Sequence, residues 1–103
     1  MEYTNPNEKD FTIYSRSGCH YCTKVKQLLK SKSYNFFMVD CDEYILEDRE
    51  SFLNYMKSLT NIEIKGFPMV FHNKNFIGGY IETKDFIDKL EKINAFDKLN
   101  DDF

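Results

Sequence analysis

Long hydrophobic runs are absent from this sequence, and so is any excess of positive charge. No apolar stretch approaches the roughly 18 consecutive residues that a membrane-spanning helix needs. Acidic residues (17) outnumber lysine and arginine together (14), which gives a net charge of −3 at pH 7. A protein that binds nucleic acid through its phosphates carries the opposite balance. We therefore expect neither a membrane nor a nucleic acid as a partner.

Cysteine is scarce, and the usual marks of export are missing. The first ten residues are polar and acidic, without the basic start and apolar stretch of a signal peptide. On that basis we expect a reducing, cytoplasmic location. In such a compartment, three cysteines are used more often for redox chemistry or metal binding than for a structural disulfide framework.

Internal repeats, low-complexity tracts and Pro- or Ser-rich linkers are absent as well, so we expect one folded domain. The 103 residues are 42% hydrophobic and 17% aromatic, which suffices for a core and argues against intrinsic disorder. We expect a flexible leader over residues 1–9, a domain over residues 10–95 and an acidic tail over residues 96–103.

The hydrophobic pattern predicts four strands and three helices. Strands are expected at residues 11–14, 35–40, 68–72 and 75–77, and helices at residues 19–31, at 47–59 and from an N-cap at Thr83 onward. The continuous apolar run over residues 36–39 favours a buried second strand. The order β-α-β-α-β-β-α is typical of an α/β sandwich, in which a right-handed crossover joins a parallel pair and a hairpin adds antiparallel strands.

The segment Cys19-His20-Tyr21-Cys22 stands where the first strand and a glycine-containing turn lead into a helix. A sulfur at a helix N-terminus faces unpaired N–H groups and the positive end of the helix dipole, which favour the reactive thiolate. Arg16 and a protonated His20 would add positive charge nearby. The two-residue spacing allows a disulfide within the first turn. We expect Cys19 to be the exposed attacking thiol and Cys22 the more buried resolving thiol.

Zinc binding is the alternative interpretation of a C-x-x-C motif. A structural zinc site needs two further ligands, and the sequence offers only Cys41, His20 and His72, without a second C-x-x-C motif. Redox chemistry is therefore favoured, and we expect no bound metal. Cys41 is predicted to be a free thiol and His72 a structural residue.

Three motifs follow one another along the chain with a family-like spacing. They are Arg16-Ser17-Gly18-Cys19-His20-Tyr21-Cys22, Lys65-Gly66-Phe67-Pro68-Met69-Val70-Phe71 and Phe76-Ile77-Gly78-Gly79-Tyr80. Together they resemble the glutaredoxins, and the resemblance covers about residues 10–94. It implies a thioredoxin-like sandwich, with a four-stranded mixed sheet flanked by helices.

The resemblance implies a substrate groove beside the cysteine pair. Pro68 would follow a cis peptide bond and face Cys19, which would leave the backbone of Phe67 free to pair with a substrate. Arg16 and Lys65 would bind the carboxylate at the glycine end of glutathione, and Tyr21 would pack along the ligand. Phe67 is bulkier than the valine that is usual in the family, so it should narrow the choice of substrates.

The other end of glutathione is expected at the start of the last helix. There the N–H groups of Tyr80, Ile81 and Glu82 would bind the γ-glutamyl carboxylate, and the Glu82 side chain would pair with the ammonium. His20 replaces the usual proline of the motif. An imidazole beside the thiolate should stabilise the dithiol and make the disulfide more oxidising.

The resemblance implies a monomeric enzyme that uses glutathione as co-substrate. It would reduce protein disulfides and glutathionylated client proteins through Cys19 and Cys22, and ribonucleotide reductase is one client of the family. Two alternatives remain open. One is a dimer that holds a [2Fe–2S] cluster through Cys19 and glutathione, because some family members without the proline do so. The other is an electron donor coupled to thioredoxin reductase, which the basic residues Arg16 and Lys65 disfavour.

Overall fold

The computed structural model of the chain describes residues 2–101, with side chains up to Ile93. Its elements follow the predicted order: β1 (Phe11–Ser15), α1 (His20–Ser31), β2 (Phe36–Asp40), α2 (Asp42–Thr60), β3 (Met69–His72), β4 (Asn75–Gly78) and α3 (Tyr80–Asp101). Residues 96–101, expected to form a tail, continue α3. The last two residues of that tail lie outside the described part.

The four strands form one mixed sheet in the order β2-β1-β3-β4. β1 and β2 are parallel and joined through α1, whereas β3 runs antiparallel to both β1 and β4. Tyr14 pairs with Met69, so the end of β1 lies beside the start of β3. The loop after β1 and the loop before β3 therefore meet at the same edge of the sheet.

Two hydrophobic clusters cover the two faces of the sheet. Phe11 and Ile13 point into one cluster, which they share with α1 and α3. Tyr14 points to the opposite face and packs with Phe52 and Met56 of α2. This alternation follows from the two-residue period of a strand, whose successive side chains face opposite ways. The sheet therefore has helices on both faces, as the element order predicts.

The prediction that β2 is a buried strand is wrong. β2 lies at an edge of the sheet, and its side chains are only partly covered. Phe37 is 49% exposed and Met38 is 41% exposed. A continuous apolar run indicates burial on both faces, but here the run belongs to a strand with one neighbour.

Two helices begin earlier than the hydrophobic pattern predicts. α2 starts at Asp42 and contains a non-helical residue, Asp48, ahead of the predicted apolar stripe. α3 starts at Tyr80, so Thr83 is not its N-cap; Thr83 is buried and donates a hydrogen bond to the Gly79 carbonyl at 2.7 Å. Within residues 2–101, no helix has both the length and the apolar character that crossing a membrane requires.

The N-terminal segment (residues 2–9) packs along α2. The Tyr3 ring contacts the rings of Tyr44, Phe52 and Tyr55, at centroid distances of 4.9–5.6 Å. The carbonyl of Thr4 accepts a hydrogen bond from the buried Tyr14 hydroxyl at 2.6 Å. These contacts join the segment that was expected to be a leader to the core beneath α2.

Candidate active site

The two cysteines of the C-x-x-C motif form a disulfide at the start of α1. β1 ends at Ser15, and a turn over residues 16–18 leads to Cys19, the N-cap of the helix. Gly18 has a φ of +73° in this turn, a conformation that favours glycine. The Cys19 sulfur accepts the backbone N–H of Cys22 at 3.1 Å. The chain therefore places one sulfur on the axis of the helix N-terminus.

The two sulfurs differ in exposure, as predicted. Cys22 is only 3% exposed, whereas Cys19 is partly exposed. An attacking thiol has to reach a second molecule, and a resolving thiol has to reach only its neighbour. The N–H contact and the helix dipole both stabilise negative charge on Cys19 once the disulfide is reduced. This geometry suits Cys19 for attack and Cys22 for resolution.

The loop before β3 lies beside the cysteine loop. The peptide bond between Phe67 and Pro68 is cis, which confirms the conformation that the motif implied. The Phe67 ring lies beneath the Arg16 guanidinium, at 5.9 Å from ring centroid to Cζ. The same ring stacks parallel to the Phe52 ring, with 6.3 Å between centroids. Phe67 therefore connects α2 with the loop that precedes Cys19.

An aromatic groove lies on one side of Phe67. Six of its lining residues are Tyr21, Phe67, Pro68, Tyr80, Ile81 and Glu82. The Lys24 ammonium lies 5.5 Å from the ring centroids of both Tyr21 and Tyr80. A cation held over two rings is a favourable contact and fixes their relative position.

Glu82, in the first turn of α3, also lines the aromatic groove. Its Oε1 accepts the backbone N–H of Gly79 at 2.9 Å, so the side chain caps the helix to which it belongs. A Cβ atom on Gly78 would lie 2.8 Å from the Glu82 side chain, and Gly78 has a φ of +138°. The Gly-Gly motif therefore makes room for this carboxylate. One of the two Glu82 carboxylate oxygens is therefore already hydrogen-bonded within the protein.

Phe67 also lines a second concave surface, the basic cleft. It encloses about 160 Å³ between α2 and the loop over residues 64–67. Three cations line it: Arg16, Arg49 and Lys65. Its apolar side chains come from α2 and the loop: Ile45, Phe52, Leu53, Ile64 and Phe67.

A family comparison decides what this arrangement is. The glutaredoxin family model matches residues 11–77, which contain β1, both cysteines of the disulfide and the cis-proline loop. The chain belongs to the glutaredoxin family. Membership supports thiol–disulfide exchange by the Cys19–Cys22 pair.

Relatives with curated names agree with this assignment. Human mitochondrial Glutaredoxin-2 is 32% identical over 71 residues, which are 69% of this chain and 41% of the relative. Glutaredoxin 1 of Rickettsia felis is 28% identical over 87 residues, which are 84% of this chain and 76% of the relative. The chain thus spans about two-fifths of the length of the mitochondrial relatives that it matches.

Solved glutaredoxin structures share the fold. Glutaredoxin 1 from Francisella tularensis, complexed with cacodylate, has a TM-score of 0.68 and 30% identity, over 80% of this chain and 95% of that one. A buckwheat glutaredoxin–glutathione complex has a TM-score of 0.65 at 19% identity, over 82% of this chain and 73% of that one. The sandwich is therefore the thioredoxin-like glutaredoxin fold that the motifs implied.

The residues predicted for glutathione fall into two groups in this glutaredoxin. Tyr21, Pro68, Tyr80, Ile81 and Glu82 meet in the aromatic groove. Arg16 and Lys65 meet in the basic cleft. Phe67 lines both surfaces, and Lys65, Pro68 and Glu82 also meet at a third concave surface that includes Phe67.

Three contributors to the glutaredoxin site were missed by the sequence reasoning. Lys24 and Arg49 both lie outside the three sequence motifs. Asp42 accepts the backbone N–H of Ser17 at 2.9 Å and also contacts the Ser17 hydroxyl. These bonds lower the pKa of the Asp42 carboxyl, and Arg16 lowers it further. No local sequence signal indicates that Asp42 reaches Ser17 or that Lys24 reaches Tyr80, because these contacts join distant segments.

Cys41 and His72 lie apart from the disulfide, whereas His20 lies beside it. Cys41 is fully buried under α2, and burial raises the pKa of its thiol to about 12. His72 packs against the rings of Phe11 and Phe86, and His20 is exposed with its ring edge toward Tyr21. No group of three or more metal-ligating side chains occurs within the described residues.

Proposed function

We propose that the protein is a glutathione-dependent thiol–disulfide oxidoreductase. One observation carries the proposal: a partly exposed sulfur at a helix N-terminus is bonded to a buried one, in a segment whose Arg16 lines the basic cleft and whose Tyr21 lines the aromatic groove. The redox-active pair and the family membership support the reaction type. The dependence on glutathione rests on the cations, the aromatic groove and the helix N-terminus around the pair.

The first half-reaction is a thiolate exchange at Cys19. The Cys19 thiolate attacks the glutathione sulfur of a mixed disulfide; a new bond forms to Cys19, and the client leaves as a thiolate that takes a proton from water. A second glutathione thiolate then attacks the bound glutathione sulfur. Oxidised glutathione leaves, and the Cys19 thiolate is restored.

A client with an internal disulfide needs both cysteines. Cys19 attacks one client sulfur and forms a mixed disulfide, while the second client sulfur leaves as a thiolate. Cys22 then attacks the Cys19 sulfur, which releases the client as a dithiol and forms the intramolecular disulfide. Two molecules of glutathione reduce that disulfide and become oxidised glutathione.

The two surfaces suggest how glutathione would be oriented. Its glycine carboxylate would lie near Arg16 and Lys65, and its γ-glutamyl group near the start of α3. The cysteine of the ligand would then lie between them, beside Phe67. Glu82 already bonds Gly79 through one oxygen, so its other oxygen is the one available to the ligand's ammonium.

A coupled assay with the mixed disulfide of glutathione and 2-mercaptoethanol tests the proposal. We expect turnover that depends on glutathione and glutathione reductase, no turnover by Cys19→Ser, and retained turnover by Cys22→Ser. Cys22→Ser should instead lose the reduction of an internal protein disulfide. Turnover by Cys19→Ser, or turnover with thioredoxin reductase but not with glutathione, would refute the assignment.

A further inference from the structure

The basic cleft is larger and more charged than a glycine carboxylate requires. Arg16 and Lys65 suffice for that carboxylate, yet Arg49 of α2 lines the same cleft. None of these three cations makes an ion pair among the described residues, and no acidic side chain lines the cleft. Arg16 does lie close enough to Asp42 to lower the pKa of that carboxyl. A surplus of positive charge remains for an anionic partner.

The cleft also has an apolar floor for which glutathione has no counterpart. Leu53 and Ile64 are partly exposed there, and Phe52 is fully buried beneath them. Glutathione ends in glycine, which has no side chain to place on this floor. A ligand that used the whole cleft would extend past the glycine position and carry at least one apolar side chain.

The direction of such a ligand follows from the proposed function, on which this inference rests. Glycine is the residue on the C-terminal side of the cysteine in glutathione. A client chain bound in the same N-to-C direction as glutathione would place the residues that follow its own cysteine in the basic cleft. Each extended residue advances the chain by about 3.3 Å, so the second to fourth residues would lie along the cleft.

We propose that the basic cleft selects client proteins that carry an apolar residue followed by acidic residues on the C-terminal side of the reactive cysteine. Arg49 would contact the acidic side chains, and Leu53 and Ile64 would contact the apolar one. Arg49 is thus a specificity residue that glutathione itself does not need. Charge complementarity across a partly exposed surface selects among partners even where each contact is weak.

Thiol exchange with defined peptides measures this selection. The Cys22→Ser variant is loaded as the Cys19–glutathione mixed disulfide and mixed with the peptide acetyl-Ala-Cys-Gly-Leu-Glu-Glu-amide or its Lys-Lys counterpart. The peptide thiolate displaces glutathione from Cys19, and mass spectrometry of the intact protein gives the exchange constant. The C-terminal amide removes the terminal carboxylate, so only the side chains differ.

We expect the acidic peptide to exchange about ten-fold more favourably than the basic one, which corresponds to about 1.4 kcal/mol. Arg49→Gln should reduce that ratio to about three-fold, whereas Arg49→Lys should keep most of it. High salt should reduce it as well. Lys30→Gln, which removes one positive charge from the exposed end of α1, is the matched control and should leave the ratio unchanged.

Equal exchange constants for the two peptides would overturn the inference, and so would a ratio that Arg49→Gln leaves unaltered. Either result is distinct from a failure of the proposed function. If the proposed function itself fails, the protein will not turn over the small glutathione mixed disulfide at all, whatever the peptide exchange constants are.

Discussion

Asp42 ties the start of α2 to the loop that carries Cys19. Its carboxylate accepts the N–H of Ser17 and contacts the Ser17 hydroxyl. Ser17 lies between Arg16 and Gly18, so the carboxylate fixes the turn that delivers the attacking sulfur. We regard Asp42 as a positioning residue, because it acts through the loop rather than on the substrate.

Asp42→Ala should loosen that turn and lower kcat/KM for a glutathione mixed disulfide by about three-fold, because two hydrogen bonds to Ser17 are lost. Rescue by Asp42→Asn, which can still accept the N–H, should be partial. Glu43→Gln removes a charge from the same helical turn and serves as the control. If Glu43→Gln lowers activity as much as Asp42→Ala does, the effect is general electrostatics and the positioning role is refuted.

His20 should set the redox potential of the pair. His20→Pro removes an imidazole from the position next to Cys19, and we expect the potential to become more negative by about 30 mV, or ~1.4 kcal/mol. A glutathione redox titration measures it. His20→Asn keeps the loop unrestrained and removes the imidazole, so it separates the effect of the ring from the stiffening by proline. A potential that is the same in all three proteins contradicts the electrostatic role.

His72 should make the fold sensitive to acid. Burial lowers the pKa of His72, and the nearby Asp10 partly opposes that shift. The unfolded chain therefore binds a proton more readily than the folded protein does. The contribution of His72 to the free energy of unfolding is complete above about pH 6.5 and is lost as the pH falls below that value. His72→Phe should reduce this decrease between pH 7 and 5 in urea denaturation. An identical pH slope in both proteins would show that His72 does not contribute.

The N-terminal segment behaves as a structural element of the core. Tyr3 contacts three aromatic rings and donates a hydrogen bond to the Ser51 hydroxyl at 2.8 Å. Sequence reasoning assigned residues 1–9 to a flexible leader because polar residues dominate there. Nothing local distinguishes Tyr3 from an exposed aromatic, since its partners lie more than 40 positions away.

Tyr3→Ala should lower the free energy of unfolding by about 2 kcal/mol, because a partly buried ring and its aromatic contacts are lost. Tyr3→Phe keeps the ring and loses only the bond to Ser51, so its cost should be about 0.5–1 kcal/mol. Urea denaturation of the reduced proteins gives both values. If Tyr3→Ala unfolds at the wild-type urea concentration, the segment does not stabilise the core.

The predicted elements were most accurate where the periodicity was local. α1 and the hairpin agree with their expected positions, because apolar spacing and turn residues determine them. The burial of β2 was wrong since its edge position depends on the order of strands in the sheet. The start of α3 was wrong because Glu82 caps Gly79, a bond between two residues that the pattern treats as a loop.

For the whole molecule, the sequence motifs predicted the mixed sheet, the cis bond before Pro68 and the disulfide between Cys19 and Cys22. They did not predict that the Phe67 ring would line both the aromatic groove and the basic cleft. The basic cleft depends on α2, which brings Phe52 and Arg49 to the loop before β3. Contacts between distant elements are set by packing, which no short motif contains.

Burial gives three chemically similar thiols different accessibility. In the reduced protein, Cys19 should react readily with iodoacetamide, and Cys22 more slowly in proportion to its burial. Cys41 should react only when the cluster beneath α2 opens, because its sulfur is inaccessible and its pKa is about 12. Mass spectrometry should show at most two adducts on the folded protein and three in urea. Prompt addition of three groups to the folded protein would contradict the burial of Cys41.

The burial of Cys41 has a practical consequence for following this molecule in solution. The alkylation rate of Cys41 measures how often the core opens, as the rate of slow amide exchange measures how often a backbone hydrogen bond opens. The chain therefore contains one rapidly alkylated thiol, Cys19, which reports on reactivity, and one slowly alkylated thiol, Cys41, which reports on folding. A single alkylation time course would give both rates. It would distinguish a variant that has lost the reactivity of Cys19 from one that has lost its folded structure.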